Sequence, residues 1–260
     1  IFSTYEKEAT ISKINDNIPV KPEPEFMTCF NRAMEISEIT NGAFDITAGP
    51  MVNAWGFGPE KKKHLSREQI DSLIKITGFQ KIHIENGQIV KDNPNMKLDM
   101  SAISKGYTSD LIAGFLAKKG CINYMVEIGG EVAAKGKNEH GNFWSIGISK
   151  PDEDLSVSNS ELEAVIQLPD HALATSGNYR NFYIEDGKKY AHTIDPKTGY
   201  PVQHSLLSST VLANDCMTAD AFATAFMVLG VEQGIEIARS TPGIEVFFVY
   251  ADENGNNQIY

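Results

Sequence analysis

Residues His192-Thr193-Ile194-Asp195-Pro196-Lys197-Thr198-Gly199-Tyr200-Pro201 constrain the fold most, because they cannot lie inside a helix. Pro196 pushes Asp195 out of the α region. Lys197 to Pro201 reads as a tight turn in which Gly199 is free to take positive φ. The run predicts a strand end above a rigid turn. His192, which exchanges protons near neutral pH, sits there, where catalytic groups are often held. A hairpin with a partly buried, hydrogen-bonded histidine fits the same residues.

Two further hairpin signals flank this reading. Asn86-Gly87 separates strand-like runs at Lys81–Glu85 and Gln88–Lys91, and Asp186-Gly187 splits Phe182–Glu185 from Lys189–His192. Helical spacing marks Glu25–Thr40, through Phe26, Met27, Phe30, Met34 and Ile36. Ser66 to Gln69 is a capping box that opens a helix ending at Gly78. Ala102–Lys119 reads as a helix with Ile103, Tyr107, Leu111, Ile112, Phe115 and Leu116 inward. Thr218–Leu229, closed by Gly230, and Val231–Ala238 are two more. Strands are expected at Tyr124–Ile128, Trp144–Ile148, Leu162–Leu168, Ser208–Leu212 and Ile244–Tyr250, the last taken as the final core strand. Gly129-Gly130-Glu131 and Thr175-Ser176-Gly177 read as tight turns. Helices and hairpins follow no βαβ alternation, so the expected class is α+β, with mixed or antiparallel sheets and packed helices in one domain over residues 1–260.

With 42% hydrophobic residues the chain can build a sizeable core. A net charge of −11 argues against nucleic acid as a partner, since phosphate binding needs a basic face. An anionic ligand would need local help from a metal, helix N-termini or backbone N–H groups. Cys29, Cys121 and Cys216 form no CxxC and read as small buried hydrophobes. No run approaches the ~18–20 apolar residues of a membrane helix, and no signal peptide is visible.

Three constellations can carry chemistry. Asp99 opens the helix that carries Lys105, so a positive helix end and a point charge face the same region, as phosphate binding requires. A plain cap with an exposed lysine is the simpler alternative. Asp220 and Thr224 lie four apart on one helical face and are hard oxygen ligands suited to Mg²⁺, with Asp215 nearby. An ordinary hydrogen-bonded pair on the solvent side has the same spacing. Gly42-Ala43-Phe44-Asp45-Ile46-Thr47 and Trp55-Gly56-Phe57-Gly58 can close over a flat aromatic ligand, with Tyr5 stacked on a ring face. The Gly-x-x-x-x-Gly-Lys and Gly-x-Gly-x-x-Gly patterns are absent, so neither a P-loop nor a Rossmann site is indicated.

Taken in order, these segments, with Ile11-Ser12-Lys13-Ile14-Asn15, Glu127 to Glu131, Ala174 to Arg180 and Ala219 to Ala225, resemble the ApbE-like family of FAD:protein FMN transferases over nearly the whole chain. The resemblance implies an enzyme that splits FAD, releases AMP and passes FMN to a Thr or Ser hydroxyl, with Mg²⁺ required. By the family's pattern the Ala102 carbonyl, Asp220 and Thr224 hold the metal. Tyr5, Ala43, Phe44, Asp45, Asp99, Lys105 and Ile194 hold FAD. His192 is the base toward the acceptor hydroxyl, and Asp195 either orients His192 or sits near the metal. FAD hydrolysis to FMN and AMP, and FAD binding without catalysis, are the competing activities. The implied acceptor is a flavoprotein subunit of a membrane redox complex. The implied location is periplasmic, as a lipoprotein, with the family's first strand and helix expected before Phe2.

Overall fold

The computed structural model describes residues 1–57, 65–151, 161–178, 182–185 and 188–260. The fold is α+β, and the described chain forms two compact units, Ile1–Ala102 with Tyr183–Gln203, and Ile103–Phe182 with His204–Tyr260.

The first unit is mostly helical: α1 (Thr10–Asn15), α2 (Pro24–Ile39), α3 (Gly49–Ala54) and α4 (Arg67–Lys75). Pro24 starts α2, where its missing N–H is no loss. The Ser66 capping box forms as the sequence indicates, with both reciprocal bonds present. Asn86 and Gly87 both take positive φ (51° and 74°), and join β1 (Ile82–Glu85) to β2 (Gln88–Lys91) in an antiparallel hairpin. The α1 C-terminus is held by a lysine: Lys91 Nζ donates to the Ile14 and Asn15 carbonyls at 2.8 and 3.2 Å. The short strands β8 (Phe182–Glu185) and β9 (Lys188–Ala191) pair with each other. Asp186-Gly187 between them lies outside the described residues. Helix α3 lies between the two Gly-aromatic segments, because Pro50 suits a first helical turn and Met51 reaches the core; Gly58 lies outside the described residues.

The second unit is built on a six-stranded sheet, in the order β12 (Asn257–Ile259), β11 (Glu245–Ala251), β10 (Leu206–Ala213), β7 (Ala172–Gly177), β4 (Glu131–Lys135) and β3 (Tyr124–Ile128). Each neighbouring pair is antiparallel. A separate antiparallel pair joins β5 (Trp144–Ser149) and β6 (Leu162–Leu168). Helix α6 (Cys216–Leu229) is buried nearly all round, through alanines, Phe222 and Phe226, as its apolar sequence demands. The Phe226 ring meets Phe248 of β11 edge-on at 5.6 Å. α7 (Val231–Ser240) follows after Gly230.

Three expectations need correction. Thr175, Ser176 and Gly177 are not a turn but the end of strand β7, opposite Thr210, Ser209 and Ser208. The segment lacks apolar alternation, because Thr175 Oγ1 pairs with Thr210 Oγ1 at 2.8 Å instead. On helix α5 (Ser101–Lys118), Ile103 and Tyr107 are buried, but Leu111, Ile112 and Phe115 are exposed. The rest of its buried face is Gly106, Ser109 and Ala113, small residues that allow close backbone approach. Cys29 and Cys216 are buried as expected, whereas Cys121 is exposed.

Candidate functional site

In the first unit, two loops and a turn gather most of the residues singled out for flavin binding. Asp45 organises the loop that follows Gly42. Its Oδ1 accepts from the Thr47 N–H at 2.8 Å and the Thr47 hydroxyl at 2.6 Å, and its Oδ2 accepts from the Phe79 N–H at 2.9 Å. Burial nevertheless raises its pKa above the usual carboxylate range, against those hydrogen bonds. The Asp45 carboxylate is thus engaged in shaping its own loop. Ala43, Phe44 and Ile194 are buried in packing, so the groups they offer a ligand are backbone groups. Asp99 is tied to the same loop by its N–H to the Ile46 carbonyl, 2.7 Å, and its Oδ1 accepts from the Ser101 N–H at 2.9 Å. Gly49 makes this approach possible: a Cβ there would lie 2.9 Å from Asp99 Cβ. Ala102 is the second residue of α5. Tyr5 is 75% exposed, on the chain segment before α1.

The His192 turn closes against the same unit. Ile194 bridges Pro201, the Asp195 N–H donates to the Tyr200 carbonyl, and the Lys197 N–H donates to Asp195 Oδ1, each bond 2.9 Å. Gly199 takes φ +74°, and its carbonyl accepts from Trp55 Nε1 at 2.8 Å. Ile194 packs with Met51, Trp55 and Ile70. His192, directly after β9, is half-buried with its ring 6.3 Å from Phe57, edge to face. Asp195 forms the turn in this unit through its Oδ1, which is the job its place before proline suggests.

In the second unit, α5, α6 and the β3–β4 hairpin bring together a lysine and two acids. Lys105 Nζ meets Glu131 Oε1 at 2.5 Å. The Gly106 N–H donates to Asp220 Oδ2 at 3.1 Å. A Cβ on Gly106 would lie 2.3 Å from the Cys216 carbonyl oxygen, so glycine is what lets α5 and α6 touch. Asp220 is buried, and burial together with the negative charge of Glu131 pushes its pKa up to about 7. Lys105 and the Gly106 N–H act in the opposite sense. Thr224, one turn on, meets Ser176 Oγ with its own hydroxyl at 3.3 Å. Asp220 is therefore turned inward, with Thr224 half-buried against Ser176.

Asp215 has a different role from the one its position beside Asp220 suggested. It is the N-cap of α6, accepting from the Thr218 N–H at 2.8 Å. Asp110 takes the Cys216 and Met217 N–H groups at 2.8 Å each, and burial pushes its pKa up to about 6. Two residues of this group were not recognised as site components from sequence. Glu131 read only as part of a turn; Ser176 read as part of another. The available signal for Glu131 was an acidic residue entering a strand directly after Gly129-Gly130.

Among the described residues, no three His, Cys, Asp or Glu side chains cluster as a metal site. Asp220 and Thr224 nevertheless supply the hard oxygens that Mg²⁺ prefers, and Mg²⁺ ordinarily completes its shell with water and substrate phosphate. A buried acid with a raised pKa beside a second buried acid is a group that a cation would relieve. The donor set fits the metal.

The ApbE family model matches residues 1–248. The FAD:protein FMN transferase of Vibrio cholerae is 40% identical over 259 residues, covering 98% of this chain and 76% of its own. That of Haemophilus influenzae is 41% identical over 264 residues, covering 98% and 75%. Among solved structures, the flavin transferase ApbE of Vibrio cholerae superposes with a TM-score of 0.88 at 39% identity, covering 100% of this chain and 82% of that one. The apo flavinyl transferase ApbE of Pseudomonas stutzeri gives 0.86 at 32% identity, covering 100% and 80%. The chain belongs to the ApbE family.

Proposed function

We propose that this enzyme, an FAD:protein FMN transferase, moves the FMN moiety of FAD onto a Ser or Thr hydroxyl of a partner protein, with Mg²⁺ and with release of AMP. The observation that carries the reading is family membership across residues 1–248, joined to the intact acid, hydroxyl and lysine of the second unit. Mg²⁺, when bound, would supply the positive charge that neutralises the pyrophosphate, which a chain of net charge −11 needs.

The residues divide the remaining work. Asp220 and Thr224 would hold the metal, with the Ala102 carbonyl as a further ligand. Lys105 meets phosphate charge. Asp99 and the backbone of Ala43, Phe44 and Ile194 hold FAD in a loop that Asp45 shapes, with Tyr5 covering the flavin ring. The acceptor hydroxyl attacks the phosphorus on the riboflavin side of FAD. One P–O bond forms there, the bond to the bridging oxygen breaks, and AMP leaves with that oxygen. His192 takes the hydroxyl proton. Such a transfer depends on positioning and charge neutralisation more than on covalent help.

The proposed acceptor is a flavoprotein subunit of a membrane redox complex, and the proposed location is periplasmic, by lipoprotein anchoring. No helix among the described residues is long and apolar enough to cross a membrane. The test is incubation with FAD and Mg²⁺, with and without an acceptor domain carrying a Ser/Thr flavinylation motif. Acceptor mass rising by one FMN, with AMP release dependent on acceptor, is the expected result. Equal AMP and FMN release without acceptor would replace transfer by FAD hydrolysis.

A further inference from the structure

Glu131 has no part in the mechanism above, yet its placement in the second unit is tightly constrained. It is the first residue of β4, reached through the two-residue turn Gly129-Gly130, both at positive φ (65° and 103°). The register Ile128↔Glu131 and the Ser109 hydroxyl, which donates to the Glu131 carbonyl at 3.0 Å, fix its backbone. Its side chain is only 4% exposed, while that of Lys105 is 48% exposed. Oε1 holds the Lys105 ammonium, and Oε2 is buried with no hydrogen-bond partner among the described residues. Burying a carboxylate costs solvation, and the cost is greatest where the charge is left without its partner.

A lysine is a flexible four-carbon stem that must give up rotamer freedom to hold one position. Anchored on a rigid turn by a buried acid, its ammonium keeps one direction while the remaining donors stay available. We propose that Glu131 is a positioning residue for Lys105, holding the ammonium where the pyrophosphate of FAD meets it. The inference rests on the flavin-transfer reading for the identity of the anion. Glu131 acts through Lys105 and not on the substrate itself.

A double-mutant cycle tests this. Glu131→Ala, Lys105→Ala and the pair are compared in kcat/KM for FAD and, separately, in Kd for FAD by flavin fluorescence. Glu131→Gln serves as the isosteric second variant should Glu131→Ala fail to fold, which thermal unfolding will show. The expected result is a loss of about tenfold from either Glu131 variant alone, within the coupling range of contacting residues. In the Lys105→Ala background the same change should cost less than about twofold. An equal loss with and without Lys105 would overturn the tether and assign Glu131 to the Asp220 side. No loss from either Glu131 variant would also overturn it. The fluorescence cycle reads positioning even if no turnover is seen, so failure of the transferase reading and failure of this one remain distinct.

Discussion

The contact of α5 with α6 makes a prediction whose sign differs between two glycines of one helix. A methyl on Gly106 would lie 2.3 Å from the Cys216 carbonyl oxygen, 2.7 Å from its carbonyl carbon and 2.9 Å from Asp220 Cβ. The first two are backbone atoms, so no side chain can swing away. Overpacking of this kind costs about 1–3 kcal/mol, and a backbone obstacle puts the value at the upper end. Helix propensity returns about 1 kcal/mol for glycine to alanine. The net expectation for Gly106→Ala is a loss of about 2 kcal/mol, or a fall of about 4–8 °C in Tm at ~2–4 °C per kcal/mol. Gly114, two turns on, has nothing among the described residues within 4 Å of its added methyl. Gly114→Ala should therefore stabilise by about 0.5–1 kcal/mol. Differential scanning calorimetry of both variants beside the parent chain decides. The same methyl displaces Asp220, so the Mg²⁺ concentration for half-activation should also rise in Gly106→Ala alone. A rise in Tm for Gly106→Ala matching that of Gly114→Ala would refute the close helix contact.

His192→Ala should lower flavin transfer by about 10²–10⁴ with FAD affinity kept within about twofold, measured by acceptor mass and flavin fluorescence. The pKa of Asp220, pushed up to about 7 from an ordinary ~3.9, means that the metal-free fold holds an extra proton between those values. Stability from this group is therefore lost as pH rises through about 7, and Asp220→Asn should flatten the dependence of Tm on pH in chelator-treated protein. Mg²⁺ affinity should run the other way, falling about tenfold per pH unit below about 7, as calorimetric titration at stepped pH would show. Asp215→Ala should cost about 0.5–2 kcal/mol in urea unfolding, through loss of the α6 cap, with kcat retained at temperatures where the protein is folded.

Local chemistry made much of this fold readable. The Ser66 capping box and Asn86-Gly87 each appear where their residues indicate, because a cap and a two-residue turn need only neighbours in sequence. The face of α5 was not readable in the same way. Leu111, Ile112 and Phe115 satisfy a helical period, but the face that packs is the one that Gly106, Ser109 and Ala113 let another backbone approach. Strand β7 was hidden for a related reason: Thr175 and Ser176 are satisfied by Thr210 and Thr224, partners 35 and 48 residues away. In the site, Asp220 could be read as inward from the apolar helix around it. Its neighbour Asp215 differs only in standing at the helix start, where the cap takes its carboxylate. Glu131 acquires meaning only when the β3–β4 turn brings it to Lys105.

The discontinuity of the first unit bears on how the chain is made. Trp55 and Met51 emerge from the ribosome long before the residues that complete their surroundings, Ile194 and the carbonyl of Gly199. The intervening stretch from Ile103 to Phe182 belongs to the other unit. At ~5–20 residues per second, the gap of roughly 140 residues lasts about 7–30 s. Throughout that time the early apolar residues stay without their late partner. The hairpin that carries His192 is thus also the closing piece of the early core, so synthesis that stalls before residue 192 leaves sticky, unfinished protein for chaperones to shield.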